Sequence, residues 1–327
     1  MDNMRKLTEV GFIDLYIGRD YTEIRGLVGA SIALAPAPVD LRDDITKIKL
    51  CCELKYKETG RTEYSVIHDA RMYRVTVSID VVGAATYVIR QTPNQIFNVS
   101  VIGIPTNILT VIRDPKASGL ILISGNLGVG KTTTAACILS ERISSTSSMA
   151  VSIEDPIETM LDGRHGAGRC IQLEVNQHEG YSSALKKAMR MGMSNLLIGE
   201  IRDGDTAHEA LKASLNGMFV IATIHANSII DALERFDILS SEKNNNAKSI
   251  LSKSINIVTH QTMNPVVRNN LIERHIVSIQ GIHFKNENHY QSISGKIARG
   301  DYSSLNSDID AMRQKQLNSF GRLNENS

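Results

Sequence analysis

From Leu120 to Thr223 the apolar positions gather into short runs, Leu120–Ser124, Met149–Ile153, Leu196–Ile198 and Phe219–Thr223, separated by stretches of helical texture. Runs of this length predict buried strands, and their alternation with helices predicts an α/β core, a mostly parallel sheet flanked by helices. Ligand binds at the carboxyl ends of the strands in such sheets, so chemistry is sought just after each run. Upstream the texture is different. Ile48–Tyr56, Tyr64–His68 and the pair Tyr73–Val81 and Ala84–Arg90, joined near Gly83, read as β-type segments of a small α+β N-terminal domain over 1–90. Gln91-Thr92-Pro93-Asn94 breaks that pattern and begins a linker and lead-in segment over 91–118. The α/β core is then expected over 119–285 and a helical tail over 286–327. After Ser240 the chain turns polar, although Ile250–Ile257 and Arg274–Ile279 can pack, and Asp308–Gln316 reads as a helix.

Length and charge narrow the picture. At 327 residues with 42% hydrophobic content, the chain is expected to form two domains with real cores. Its 36 Lys plus Arg nearly cancel 35 Asp plus Glu, so no global field attracts nucleic acid or anionic lipid, and no nucleic-acid partner is expected. Gly26–Val39 is too short to span a bilayer, and Asp2, Arg5, Lys6 and Glu9 interrupt any signal-peptide pattern, which predicts a cytoplasmic protein. Cys51, Cys52, Cys137 and Cys170 form no C-x-x-C pair and read as reduced thiols.

The candidate chemistry begins where the first core run ends. Gly125-Asn126-Leu127-Gly128-Val129-Gly130-Lys131-Thr132 spells G-x-x-x-x-G-K-[ST], with Thr133 opening the helix that follows to Arg142. Glycines let the backbone approach phosphate oxygens closely, so successive N–H groups and the positive helix end can cradle them. Lys131 is placed to neutralise the β- and γ-phosphates of a nucleoside triphosphate, and the Thr132 hydroxyl to ligate Mg²⁺.

Acids and one histidine follow the next three runs. Glu154, Asp155 and Glu158 come after the second, and Glu154, nearest the strand end, is best placed to orient an attacking water. Glu200 follows Leu196-Leu197-Ile198-Gly199 in a Walker-B-like position, suited to holding Mg²⁺. Ile201-Arg202-Asp203-Gly204-Asp205 supplies a loop and a cap for a helix over Thr206–Leu215. His225 ends the fourth run, where spacing alone leaves two readings open: a sensor of the γ-phosphate, or an ordinary strand-end histidine.

These four segments in this order resemble the Walker A, Asp box, Walker B and His box of the secretion ATPase superfamily that serves type II and type IV secretion and type IV pili. The chain is most similar to its PilT-like pilus retraction motors, with DotB-type secretion ATPases close behind. Asp14-Leu15-Tyr16-Ile17 resembles an early strand motif of that family, and Tyr73-Arg74-Val75 and Ile89-Arg90-Gln91-Thr92-Pro93 resemble two later ones. The resemblance implies a RecA-like P-loop core with a small α+β (PAS-like) N-terminal domain. It further implies ATP and Mg²⁺ as cofactors, Lys131 and Thr132 on phosphate and metal, Glu154 as catalytic base and Glu200 near the metal. His225 would then serve coupling, and Arg74 and Arg90 would act as arginine fingers on a neighbouring subunit's nucleotide. A hexameric motor hydrolysing ATP to ADP and phosphate follows from it, docked on an inner-membrane platform protein and peripheral to the membrane.

The chain also departs from the family pattern. Gly192-Met193-Ser194 stands where acids usually precede the Walker B strand, and Gly217-Met218 where G-H precedes the His box. The retraction-associated A-I-R-N-L-I-R-E motif has no clean counterpart, since Val267-Arg268-Asn269-Asn270-Leu271-Ile272-Glu273 comes too early. No four-cysteine zinc insert of the assembly class is present. The rival readings are a DotB or conjugation-type secretion ATPase, and a scaffold or regulator that binds ATP but hydrolyses it poorly. A nucleic-acid-dependent ATPase is disfavoured by the balanced charge.

Overall fold

A computed structural model describes residues 5–93, 95–175, 180–268, 271–286 and 290–314. The chain divides into two compact units, one of residues 1–95 with 155–160, the other of 96–154 with 161–327.

The first unit is built on β1 (Asp14–Ile17), β2 (Thr22–Arg25), β3 (Leu34–Pro36), α1 (Arg42–Thr59), β4 (Glu63–His68), β5 (Arg71–Ile79) and β6 (Ala85–Gln91). Its antiparallel sheet has the order β3-β2-β1-β6-β5-β4. Register sorts the side chains into rows. Ile24, Leu15, Ile89, Val75 and Tyr64 oppose one another across five strands, all buried. The adjacent row, which points to the other face, is polar throughout: Arg25, Asp14, Arg90, Arg74 and Ser65.

α1 corrects the expected strand at Ile48–Tyr56. The alternation in Ile48-Lys49-Leu50 suggests a period of two, but burial follows Ile45, Ile48 and Cys52, the three- and four-residue spacing of a helix. Leu50 and Leu54, which drew the strand reading, face outward and are exposed. Asp43 and Asp44 in the first turn suit the positive helix end. Tyr64 on β4 ties the sheet to this helix through a hydrogen bond from its hydroxyl to the Cys52 carbonyl, 2.8 Å.

The second unit contains α2 (Val99–Ile102), α3 (Thr106–Arg113), β7 (Gly119–Gly125), α4 (Lys131–Thr146), β8 (Met149–Glu154), β9 (Gly163–His165), β10 (Gly168–Glu174), α5 (Gly180–Arg190) and β11 (Asn195–Ile198). It continues with α6 (Gly204–Leu215), β12 (Phe219–His225), α7 (Ile229–Ser241), α8 (Ala247–Ser254), β13 (Ile255–Arg268), β14 (Leu271–His283) and α9 (Tyr290–Arg299). A further helical stretch covers 306–314, so residues 315 and 316 of the expected terminal helix lie outside the described residues. Asn269 and Asn270, within the segment compared above with the retraction motif, lie outside them too. The sheet order is β14-β13-β7-β12-β11-β8-β10-β9, with parallel pairing from β13 through β7, β12, β11 and β8 to β10.

Each central strand is buried on both faces, which is why its sequence is nearly all apolar. Leu120 and Leu122 point to one core, with Leu185 of α5, Leu211 of α6, Leu233 of α7, Leu251 of α8 and Ile297 of α9. Ile121 and Ile123 point to the other, with Val99 of α2, Ile108 of α3 and Leu139 of α4. Each fully buried side chain of this kind stabilises the fold by about 1.5–3 kcal/mol relative to exposure. The stretch read as linker therefore contains two helices, α2 and α3, that cover one face of this sheet.

Arg142 of α4 joins that cover to the sheet. It is buried, donates to the carbonyls of Ile112, at 3.1 Å, and of Asp114, Pro115 and Ala117, and lies 4.3 Å from the Phe219 ring centre. Burial pulls its guanidinium below the ordinary value, with Asp114 acting in the opposite sense. Cys52, Cys137 and Cys170 are also buried, and burial pushes their thiols up to about 12, 11 and 12. Among the described residues no helix is long and apolar enough to cross a membrane.

Candidate functional site

The carboxyl ends of β7, β12, β11 and β8 are neighbours, and they carry the predicted chemistry. β7 ends at Gly125, opposite His225 at the end of β12. The loop between β7 and α4 depends on two glycines, one set by its surroundings and one by its backbone conformation. Gly125 has φ +153°, and a Cβ there would lie 2.5 Å from the Gln261 carbonyl oxygen. Gly130 has φ +85° and caps α4 in the left-handed region, which favours glycine. The N–H groups of the first turn of α4, Lys131, Thr132 and Thr133, accordingly have no helical acceptors and form the positive end of a 16-residue helix.

Lys131 is 7% exposed and folds back on its own loop. Its Nζ donates to the carbonyls of Gly125 at 2.9 Å and Asn126 at 2.8 Å, and lies 3.2 Å from His225 Nδ1. His225 Nε2 is in turn 3.1 Å from Glu200 Oε1. An ammonium has only donors, so Nδ1 must offer its lone pair and the proton sits on Nε2, facing the carboxylate. Burial lowers the imidazole's affinity for a second proton, and the charge of Lys131 lowers it further, against the pull of Glu200. Lys131, His225 and Glu200 thus form one chain from the start of α4, across the end of β12, to the loop after β11. Thr223 Oγ1 donates to the Gly199 carbonyl, bracing the two strands that carry His225 and Glu200.

Glu154 stands at the end of β8, 2% exposed. Its Oε1 accepts from Ser152 Oγ at 2.6 Å and from Gln172 Nε2 at 2.8 Å. Gly199 passes so close that a Cβ on it would lie 3.1 Å from Glu154 Cγ, so a side chain there would press on the carboxylate. Arg74 and Arg90 belong to the first unit. Arg74 donates to Glu158 at 2.7 Å, and Arg90 to Asp14 at 2.8 Å.

Three residues of this region escaped the sequence reading. Arg202 donates to Glu200 Oε2 at 2.7 Å, and the one sequence signal for it is an arginine two places after the acid. Gln261 on β13, 1% exposed, donates to the Val129 carbonyl and accepts from Thr134 Oγ1 at 2.7 Å, so it clasps the loop and the first turn of α4 together. Gln172 reaches Glu154 from β10. Neither glutamine has a local spacing that marks it, because each acts across strands distant in sequence.

The residues fit the groups the sequence implies. A glycine cradle at a helix N-terminus beside a buried lysine suits a polyphosphate, and Thr132 and Glu200 provide the hard oxygen donors that Mg²⁺ prefers.

The type II/IV secretion system protein family matches residues 60–300. The type IV pilus retraction ATPase PilT of Pseudomonas aeruginosa is 27% identical over 270 residues, covering 75% of this chain and 76% of that protein. A twitching motility protein of Neisseria gonorrhoeae is 24% identical over 77% of this chain and 76% of its own length. Among solved structures, the ADP-bound pilus retraction motor PilT superposes with a TM-score of 0.74 at 22% identity, over 93% of this chain and 87% of that one. The Legionella pneumophila ATPase DotB gives 0.67 at 21% identity, over 90% and 83%. The fold is therefore α/β, a RecA-like ATPase core preceded by an antiparallel sheet domain. The chain belongs to the type II/IV secretion system protein family. Within that family it is a PilT-like secretion ATPase.

Proposed function

We propose that this chain works as a homohexameric motor, converting ATP hydrolysis into movement of a type IV pilus, with retraction as the stroke. It would stand on the cytoplasmic side of the inner membrane, held there by a platform protein. The observation that carries the reading is the Lys131–His225–Glu200 chain at one sheet edge, with Glu154 buried on the next strand.

The roles follow from position. The backbone from Gly125 to Thr133 and the Lys131 ammonium hold the phosphates of ATP. Glu154 aligns the attacking water, and His225 relays the state of the lysine to Glu200. Thr132 and Glu200 would hold Mg²⁺, which when bound supplies charge neutralisation between the phosphates. Arg74 and Arg90 would complete the site of a neighbouring subunit, which requires a ring.

Steady-state phosphate release tests the reading. Wild type is expected to turn over, while Lys131→Ala and Glu154→Gln lose nearly all activity. A wild type no faster than either variant leaves an ATP-dependent scaffold as the better description. The lack of a clean counterpart to the retraction-associated A-I-R-N-L-I-R-E motif favours a second reading, a DotB-like role in type IV secretion. Deleting the gene and scoring twitching against secretion separates the two.

A further inference from the structure

Gln172 sits opposite Ser152 in the parallel pairing of β10 with β8, and its amide is engaged at both ends. Nε2 donates to Glu154 Oε1 at 2.8 Å. Its Oε1 accepts the backbone N–H groups of Leu161 at 3.0 Å and Asp162 at 3.3 Å. The Gln172 N–H itself donates to Asp162 Oδ1 at 3.2 Å. This pattern fixes which way the amide points, because a flip would set its NH₂ against two N–H donors and its carbonyl against a carboxylate.

The consequence falls on Glu154. Two donors, Ser152 Oγ and Gln172 Nε2, converge on the same oxygen of a buried carboxylate. A serine hydroxyl rotates freely about its Cβ–Oγ bond, so Ser152 alone does not set the carboxylate plane. Gln172, tied to the backbone at 161 and 162, does. A group that must align a water for in-line attack is sensitive to such placement, since a misplacement of ~1 Å costs on the order of 10²-fold in rate.

We propose that Gln172 is a positioning residue for ATP hydrolysis, holding the Glu154 carboxylate in the plane from which it aligns the attacking water. This inference rests on the role given to Glu154 above. Gln172 acts through that carboxylate rather than on the nucleotide, and no spacing in the sequence marks it.

The test is steady-state kinetics on Gln172→Met, which keeps length and loses the hydrogen bonds, and on Gln172→Glu, with thermal melts and size-exclusion profiles alongside. For Gln172→Met, kcat is expected to fall about 10- to 100-fold while KM for ATP stays within about twofold, because the phosphate cradle on β7 is untouched. In a Glu154→Gln background the same change is expected to have no further effect.

Gln172→Glu supplies a readout that packing alone does not move. In that variant a protonated carboxyl at position 172 donates to Glu154 as the amide does, whereas an ionised one repels it. Titratable groups near this position include Asp162 after β8, His165 on β9, Cys170 and Glu174 on β10, and Tyr181 on α5. The ratio of the variant's kcat to wild type is therefore expected to be highest at the acid end and to fall as pH rises from about 6 to about 8, with the Gln172→Met ratio flat.

A Gln172→Met enzyme with wild-type kcat overturns the proposal, as does a pH-independent ratio for Gln172→Glu. If Gln172→Met does not fold, the Gln172→Glu ratio decides alone. If Glu154→Gln keeps full turnover, the reading of Glu154 fails instead.

Discussion

Arg74 and Arg90 stand directly opposite one another across β5 and β6, yet each is tied to a different acid. Arg74 donates to Glu158 at 2.7 Å, and Arg90 to Asp14 at 2.8 Å. Asp14 is 1% exposed and also bonds Arg25, so one buried carboxylate serves two arginines. Burial by itself would raise the Asp14 carboxyl, but hydrogen bonds and charge from Arg90 and Arg25 outweigh it and hold it below the usual range.

If these arginines act on a neighbouring subunit, losing one should reduce turnover on the order of 10³-fold or more without loss of nucleotide binding. Arg90→Ala mixed with Glu154→Gln is the decisive measurement. A finger acting in trans restores activity in mixed rings above that of either variant alone. Intact rings without rescue exclude the role for Arg90.

His225 sets a pH dependence. Burial first and the Lys131 charge second keep it neutral below its ordinary value of about 6.5, with Glu200 pulling the other way and Arg235 and Arg202 adding to the depression. A depressed value means that its contribution to stability is present above the unfolded-state value and is lost as pH falls through the folded one. Protonation would also set an imidazolium against the lysine. ATPase activity is therefore expected to fall on the acid side of about pH 6.5, and His225→Gln, which cannot protonate, should flatten that limb of the pH–rate profile.

Arg142 makes a stability prediction independent of function. Arg142→Met leaves the carbonyls of Ile112, Asp114 and Ala117 without their donor and removes the contact with Phe219. A loss of about 2–4 kcal/mol is expected from several charge-assisted hydrogen bonds. Urea unfolding measures it directly, and Arg142→Lys, which keeps the charge but not the fork, should recover less than half.

Gln261 is expected to act on binding more than on chemistry. Gln261→Leu keeps bulk but releases Val129 and Thr134, loosening the phosphate loop. KM for ATP should rise by about tenfold with kcat changed by less than about threefold. An equal loss in kcat would mean that the glutamine matters to the transition state as well.

The features that were legible in the chain were local. The glycine loop, and the acids and histidine at strand ends, lie within a few residues of the apolar runs that place them, so spacing alone brought Lys131, Glu200 and His225 to one sheet edge. The helix α1 was not legible, because Ile48-Lys49-Leu50 alternates while the burial that decides its structure involves Ile45 before it and Cys52 after it. Gln172 and Gln261 were invisible for a related reason. Each reaches its partner across a strand pairing, and nothing in a linear pattern records which strands become neighbours. The long pair β13 and β14 went unread because polar residues from Thr259 to Thr262 break the apolar run that would have marked a strand.

That pair meets the nucleotide loop through Gln261. β13 lies beside β7 from Ile255 to Gln261, then runs on to Arg268 paired with β14. Because strand side chains alternate faces, one extra residue between Ile257 and Gln261 would turn the glutamine away from Val129 and swap every inward group behind it. Matched insertions of two residues in both strands beyond Asn264 and Ile276 would merely lengthen a ribbon. Variation in reach among descendants of this protein should therefore accumulate at the far end of that arm, while its root stays constant in length.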